Sequence, residues 1–209
     1  QSMLSLAAAL VLIPLDKSAR SFMAMPVVYG ILGVALLVPS IYVANETFES
    51  LKIQKFVMGE VNSDPKMATV DVEKLPDMPN LSSSTLPMKA MLSRYYIRDK
   101  RWEDALRALN ESENDNPFLH YNDFLRTSIY AAQNKLDSAH FYAKRAFNAW
   151  PRASSYYKNI IFTSAKLKDT NEIKRALQVS LEANNDIAIT WNQYLLGMFE
   201  AKKGTDKAL

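Results

Sequence analysis

Two long apolar runs open the chain, and a short polar connection separates them. Residues 22–44 are apolar throughout and long enough to cross a bilayer with some tilt, whereas residues 2–15 are a little short to do so alone. The pattern predicts a transmembrane helical hairpin whose first span is truncated, so we expect a fragment of a longer protein. Two alternatives stay open: a buried helix for residues 2–15, and a cleaved signal peptide for residues 22–44.

The basic residues near the apolar runs predict how the chain is oriented in a membrane. Lys17 and Arg20 lie in the connection at residues 16–20, where they favour a cytoplasmic turn and an extracytoplasmic location for everything after residue 44. Lys52 and Lys55 lie near the other end of the span and oppose that orientation.

The pattern changes after residue 44 and again near residue 86. Residues 45–57 allow the helix to extend beyond the membrane, which defines a membrane segment at residues 1–57. Residues 58–85 contain Pro65, Pro76 and Pro79 and no hydrophobic periodicity, so they predict a linker that acts as a plain spacer.

A repeat of 34 residues dominates the rest of the chain. Aromatic, small and proline positions recur at one offset: Tyr96, Ala105, Ser112 and Pro117 are matched by Tyr130, Ala139, Ala146 and Pro151. A fixed period of this length predicts stacked helix–turn–helix units, that is, an all-α solenoid over residues 86–209. The expected units are residues 86–119, 120–153, 154–187 and a partial unit at 188–209.

These units resemble the tetratricopeptide (TPR) repeat family, which exposes the first helix of each unit on a concave face. The resemblance implies a partner-binding groove formed by Arg94, Arg98, Tyr121, Phe124, Ser128, Lys158, Phe162, Lys166 and Asn192. Because this set is basic and aromatic, and residues 86–209 hold 19 basic and 14 acidic residues, we expect a protein or peptide partner, with a preference for acidic segments. The alternative is that these charges form only a solvated helix face.

The resemblance to TPR domains that bind chaperone tails is incomplete. Lys158 and Asn192 match parts of the two-carboxylate clamp of those domains, but Ala90 and Arg94 occupy its positions in the first unit. A heat-shock tail is therefore not the expected ligand.

The residues that could carry chemistry are few. The chain has no cysteine, and its two histidines, His120 and His140, each have one aspartate three residues away, Asp123 and Asp137. A single His–Asp pair falls short of a metal site, and the sequence contains no catalytic constellation or Gly-rich phosphate loop. We expect no cofactor and no metal, and a net charge of +3 is too small to predict nucleic-acid binding.

The layout of two spans followed by a repeat domain resembles the C-terminal end of bacterial O-antigen ligase and polymerase-like proteins. That resemblance implies the bacterial inner membrane and a periplasmic repeat domain. Two functions follow as hypotheses. One is a membrane-anchored TPR scaffold for protein–protein interaction, including a role as accessory subunit of a larger membrane complex. The alternative is the tail of a glycan transferase whose catalytic part lies upstream, so whether the chain belongs to an enzyme stays open.

Overall fold

The computed structural model describes residues 25–76, 78–183 and 186–203, and the regular structure in these ranges is helical. The prediction of an all-α chain is confirmed there. The predicted first span at residues 2–15 lies outside the described residues. In chain order the helices are α1 (Met25–Gly59), α2 (Thr69–Val72), α3 (Met88–Arg98), α4 (Trp102–Glu111), a 3₁₀ turn (Pro117–Leu119), α5 (Tyr121–Ala132), α6 (Leu136–Ala149), α7 (Ser154–Lys166), α8 (Thr170–Glu182) and α9 (Ile187–Lys202).

Helix α1 is the one described helix that is long and apolar enough to cross a membrane. Its 35 residues correspond to roughly 50 Å, whereas about 20 residues span the hydrocarbon core. Apolar side chains such as Ile31, Val38 and Ile41 are exposed along it. The helix accommodates Pro39 and continues to Gly59, so it contains the extension that residues 45–57 allowed.

The remaining helices form pairs that pack on their neighbours along the chain. Helix α3 packs on α4, α5 on α6, and α7 on α8, in each case across a short turn. The first helices also contact one another in series, α3 with α5, α5 with α7, and α7 with α9. Each helix therefore depends on elements close to it in sequence.

The turns inside the three pairs have the same backbone geometry at a spacing of 34 residues. Lys100, Asn134 and Lys168 are left-handed, with φ values of 58°, 57° and 60°. In each case the next residue donates its N–H to a carbonyl five residues back, which ends the first helix in the same way. These bonds join Arg101 to Tyr96 (2.8 Å), Lys135 to Tyr130 (2.9 Å) and Asp169 to Ser164 (2.9 Å).

Helices cross closely where the period places small or compact residues. The second helices bury Ala105, Ala139 and Ile173 at one repeat position, and Ser112, Ala146 and Ser180 at another. At the far end, α9 lies so close to α7 that a Cβ added at Gly197 would stand 2.5 Å from Ile161 Cγ2. Glycine is therefore a packing requirement at that crossing.

The segment expected to be a plain spacer differs most from its prediction. It includes α2, and its Val72 joins Val57 of α1 and Met88, Met91 and Tyr95 of α3 in one buried apolar cluster. We call residues 60–76 the connector. Its apolar residues are isolated and irregularly spaced, so they gave no periodic signal in the sequence.

Candidate binding cleft

An open cleft lies where the first helices of three consecutive pairs meet the connector. Its volume is about 820 Å³, within the range of small-ligand and side-chain pockets. We refer to it as the cleft. Its lining residues are Val61, Asn62, Ser63, Asp64, Arg94, Leu119, Tyr121, Phe124, Trp150, Ala153, Ser155 and Tyr156.

One wall of the cleft is a column of aromatic rings from α5 and α7. The ring centroids of Tyr121 and Phe124 are 5.9 Å apart, those of Phe124 and Tyr156 are 5.2 Å apart, and both pairs are nearly parallel. Tyr156 donates its hydroxyl to the carbonyl of Leu119 at 2.8 Å, which fixes the column against the 3₁₀ turn. Burial raises the pKa of Tyr121 and of Tyr156, so both phenols stay neutral at physiological pH.

The opposite wall is the connector, which two arginines of α3 hold in place. Arg94 donates from Nη2 to the carbonyls of Glu60 (3.0 Å) and Ser63 (2.7 Å). Arg98 donates from Nη1 to the carbonyls of Pro65 (3.1 Å) and Met67 (2.7 Å). Four carbonyls of an irregular segment are thus satisfied by side chains of one helix.

Glu60 adds a third tie between the connector and α3. Its carboxylate accepts from the backbone N–H of Lys66 (2.8 Å), from that of Met67 (3.2 Å) and from the hydroxyl of Tyr95 (3.0 Å). Burial alone would raise the pKa of Glu60, but these hydrogen bonds outweigh it and hold the pKa below its ordinary value. The carboxylate is therefore charged when the connector is docked.

The structure brings only part of the predicted groove into the cleft. Arg94, Tyr121 and Phe124 line it. Arg98 is committed to the connector, and Lys166 forms an exposed ion pair with Glu200 at 3.0 Å. The other predicted residues, Ser128, Lys158, Phe162 and Asn192, lie outside the lining; Ser128 is half-buried and the rest are exposed.

Trp150, Tyr156 and the connector residues 61–64 were missed by the sequence analysis. Trp150 directly precedes Pro151, the proline that closes the second unit, and its ring is 47% exposed. An aromatic residue beside a unit boundary was a usable signal for Trp150. The connector residues offered no such signal, because their place in the wall depends on the arginines of α3.

His120, Asp123 and His140, which stood out in the sequence, pair with neighbouring side chains of the fold. The buried carboxylate of Asp123 lies 2.8 Å from His120 Nδ1, 3.3 Å from Arg145 Nε and 3.6 Å from Arg126 Nη1, which ties α5 to α6. His140 pairs with Thr163 Oγ1 at 3.3 Å, and burial lowers its pKa. Among the described residues, no three His, Cys, Asp or Glu side chains come together as a metal site.

No protein-family model, curated protein or solved structure matches this chain.

Proposed function

We propose that this chain is a membrane-anchored TPR-type scaffold that binds a segment of a partner protein at the extracytoplasmic surface of a membrane. The observation that carries the proposal is the cleft, which opens across the first helices of three consecutive pairs. An aromatic wall on stacked helices is a surface suited to protein recognition.

The TPR-type solenoid is supported by the recurrence of one turn geometry. Lys100, Asn134 and Lys168 end successive first helices with the same left-handed conformation, 34 residues apart. The contacts of α3, α5, α7 and α9 in series have the pattern of a stacked array. The third pair keeps the turn although its sequence diverges, which supports an array longer than the two closely matching units.

The anchoring role is supported by the continuity of α1 and by its contact with α3. The helix runs from the apolar stretch to Val57, which is fully buried against Met88, Met91 and Tyr95. About 13 residues separate Ala44 from Val57, so this contact lies roughly 20 Å along the helix from the end of the apolar run. A packed junction of this kind would hold the cleft at a set distance from the bilayer.

The predicted hairpin favours one form of this function, in which the chain binds a neighbouring subunit of a larger membrane complex. In that arrangement the spans contact other subunits and the cleft holds one of their segments. The basic turn at Lys17 and Arg20 supports a cytoplasmic turn and an extracytoplasmic cleft.

Site-specific photo-crosslinking in the native membrane tests the binding role. A benzoylphenylalanine placed at Ser155, an exposed residue of the cleft, is expected to crosslink to a protein at a defined peptide. The control position is Arg107 on α4, whose side chain is 64% exposed and lies outside the cleft. Equal crosslinking from both positions, or none from Ser155, contradicts the proposal.

The absence of cysteine from the sequence allows a clean test of orientation. A single-cysteine variant, Lys174→Cys on the exposed surface of α8, is expected to react with an impermeant maleimide from the extracytoplasmic side. Asp16→Cys, in the predicted cytoplasmic turn, is expected to react from the other side. Labelling of Lys174→Cys from the cytoplasmic side overturns the orientation.

A further inference from the structure

We infer that the occupant of the cleft is a peptide segment that inserts large apolar or aromatic side chains, and that acidic residues contribute little to its binding. This inference rests on the proposed function, since it names the chemistry of the partner at the same cleft. It also replaces the acidic preference that the sequence suggested.

The two arginines of the predicted groove are already occupied. Arg94 and Arg98 donate to four carbonyls of the connector, at distances from 2.7 to 3.1 Å. The Nη1 atom of Arg94 is buried and has no acceptor among the described residues. Because solvent does not reach that nitrogen, a ligand carboxylate could contact it only after the connector had moved.

The lining of the cleft carries no net formal charge. Asp64 and Arg94 are its charged residues, and their formal charges cancel. The lysines that made the predicted groove basic lie elsewhere, since Lys158 and Lys166 are exposed on α7 outside the lining. An acidic segment would meet Asp64 without gaining an accessible cation.

The lining offers aromatic rings to an occupant. Tyr121, Phe124 and Tyr156 form the column of rings, and Trp150 also lines the cleft, with nearly half of its surface exposed. Rings in a stacked column already face one another, so they present mainly their edges to an occupant. Ring edges carry partial positive charge and suit apolar side chains and other aromatic rings.

The protein already holds an irregular, turn-containing segment beside the cleft through its main chain. The connector lies on α3 with its carbonyls facing Arg94 and Arg98, so this face recognises main chain irrespective of side-chain charge. The cleft is continuous with that interface, because residues 61–64 form part of its wall. A second segment held through its main chain alongside the connector would put its side chains against the aromatic column.

The test uses the full chain in lipid nanodiscs and a phage-displayed library of random twelve-residue peptides, with counter-selection on empty nanodiscs. Enriched peptides are then synthesised, and their Kd is measured by fluorescence anisotropy. We expect enrichment in Trp, Phe, Tyr and Leu. We also expect an affinity that changes less than about threefold between about 50 and 500 mM salt. Surface charge pairs are screened over this range, so binding through them would weaken, whereas binding through apolar contacts should not.

The variants separate the cleft from the rest of the predicted groove. Trp150→Ser is expected to weaken binding about tenfold or more, as the loss of a central aromatic contact does. Phe162→Ser is the matched control, because Phe162 is also 47% exposed but lies outside the cleft, and it should change the Kd by less than about twofold. Lys158→Glu should likewise have little effect. Circular dichroism checks that each variant keeps its helical content.

The outcomes distinguish the inference from the proposed function. Acidic peptides whose binding falls with salt and with Lys158→Glu would overturn the inference while leaving a peptide-binding scaffold. Apolar peptides that are sensitive to Phe162→Ser and insensitive to Trp150→Ser would move the site away from the cleft and overturn it as well. No enrichment above empty nanodiscs would contradict both.

Discussion

Helices α3 and α7, which are the first helices of the first and third pairs, use equivalent repeat positions in opposite ways. Residues 94 and 162 are two repeat periods apart, as are residues 98 and 166. On α3 these positions hold Arg94 and Arg98, which lie against the connector and donate to its carbonyls. On α7 they hold Phe162, which is 47% exposed, and Lys166, which forms an exposed pair with Glu200.

The difference shows that a repeat position determines where a side chain lies, whereas the segment packed against it determines what the side chain binds. The guanidinium group has donors arranged in a rigid fork and can satisfy two carbonyls at once, whereas an exposed lysine gains little from one carboxylate in water. The connector follows α1 directly, and the two arginines that hold its carbonyls both lie on α3 of the first pair. The first pair is thus packed against the connector and α1, whereas α7 keeps the equivalent positions exposed.

The largest expected effect comes from replacing the two arginines of α3. Arg94→Met with Arg98→Met removes the four hydrogen bonds to connector carbonyls and the bond from Arg98 Nη2 to Thr69 Oγ1, and we expect a loss of about 3 kcal/mol in connector docking, allowing for partial exposure. Hydrogen exchange of residues 60–76 should accelerate about a hundredfold.

The matched control for that variant is Lys158→Met with Lys166→Met on α7. Both lysines are exposed, so the free energy of unfolding should change by less than about 1 kcal/mol. Equal effects of the two double variants would mean that α3 and α7 do not differ in the way described here.

A second effect concerns the open end, where α9 packs on α7. Gly197→Val places a branched side chain where even a Cβ would stand 2.5 Å from Ile161 Cγ2, and we expect a loss of about 2 kcal/mol in the stability of that crossing. Hydrogen exchange in α9 and thermal unfolding measure it. Gly59→Val is the control, because a Cβ there meets nothing within 4 Å. An unchanged α9 in the first variant would contradict the close packing.

A third and smaller effect tests the acid in the connector. Glu60→Gln should weaken docking by about 1 to 2 kcal/mol at neutral pH, since it removes a charged acceptor of three hydrogen bonds. Because the pKa of Glu60 is lowered in the folded state, its contribution is present above its ordinary value of 4.5 and is lost as the pH falls through the lowered pKa.

Proteolysis of the connector between pH 7 and pH 3 measures the acid effect. Docking in the wild type should weaken at the acid end of this range, and the dependence should be reduced in Glu60→Gln. The same acid sensitivity in both proteins would show that other carboxylates control docking.

The smallest expected effect concerns the three left-handed turns and tests whether they are equivalent. Lys100→Gly and Lys168→Gly should each stabilise the protein by about 1 kcal/mol, because glycine adopts the left-handed conformation without the cost that a Cβ imposes. Asn134→Gly should gain less, since asparagine tolerates this conformation. Chemical denaturation measures all three. Unequal gains for the two lysine variants would indicate that the first and third turns differ.

The sequence was sufficient for features that repeat or extend over many residues. The 34-residue offset from Tyr96 to Tyr130 predicted helical units, and the left-handed turns at Lys100, Asn134 and Lys168 have that same spacing. The apolar run ending at residue 44 likewise predicted a helix able to cross a membrane. Local hydrophobic periodicity and the fixed repeat offset determine such features, so they can be recognised without knowing which residues pack on them.

Only the tertiary structure decided which of the predicted groove residues are accessible. Arg94 and Arg98 lie at predicted groove positions whose basic character suggested an acidic partner, but carbonyls from residues more than 30 positions earlier occupy them. The cleft likewise depends on Trp150, Tyr156 and residues 61–64, which come together from separate elements. Backbone carbonyls are common to every residue and leave no trace in a sequence pattern, so their pairing with a side chain is fixed only by the folded chain.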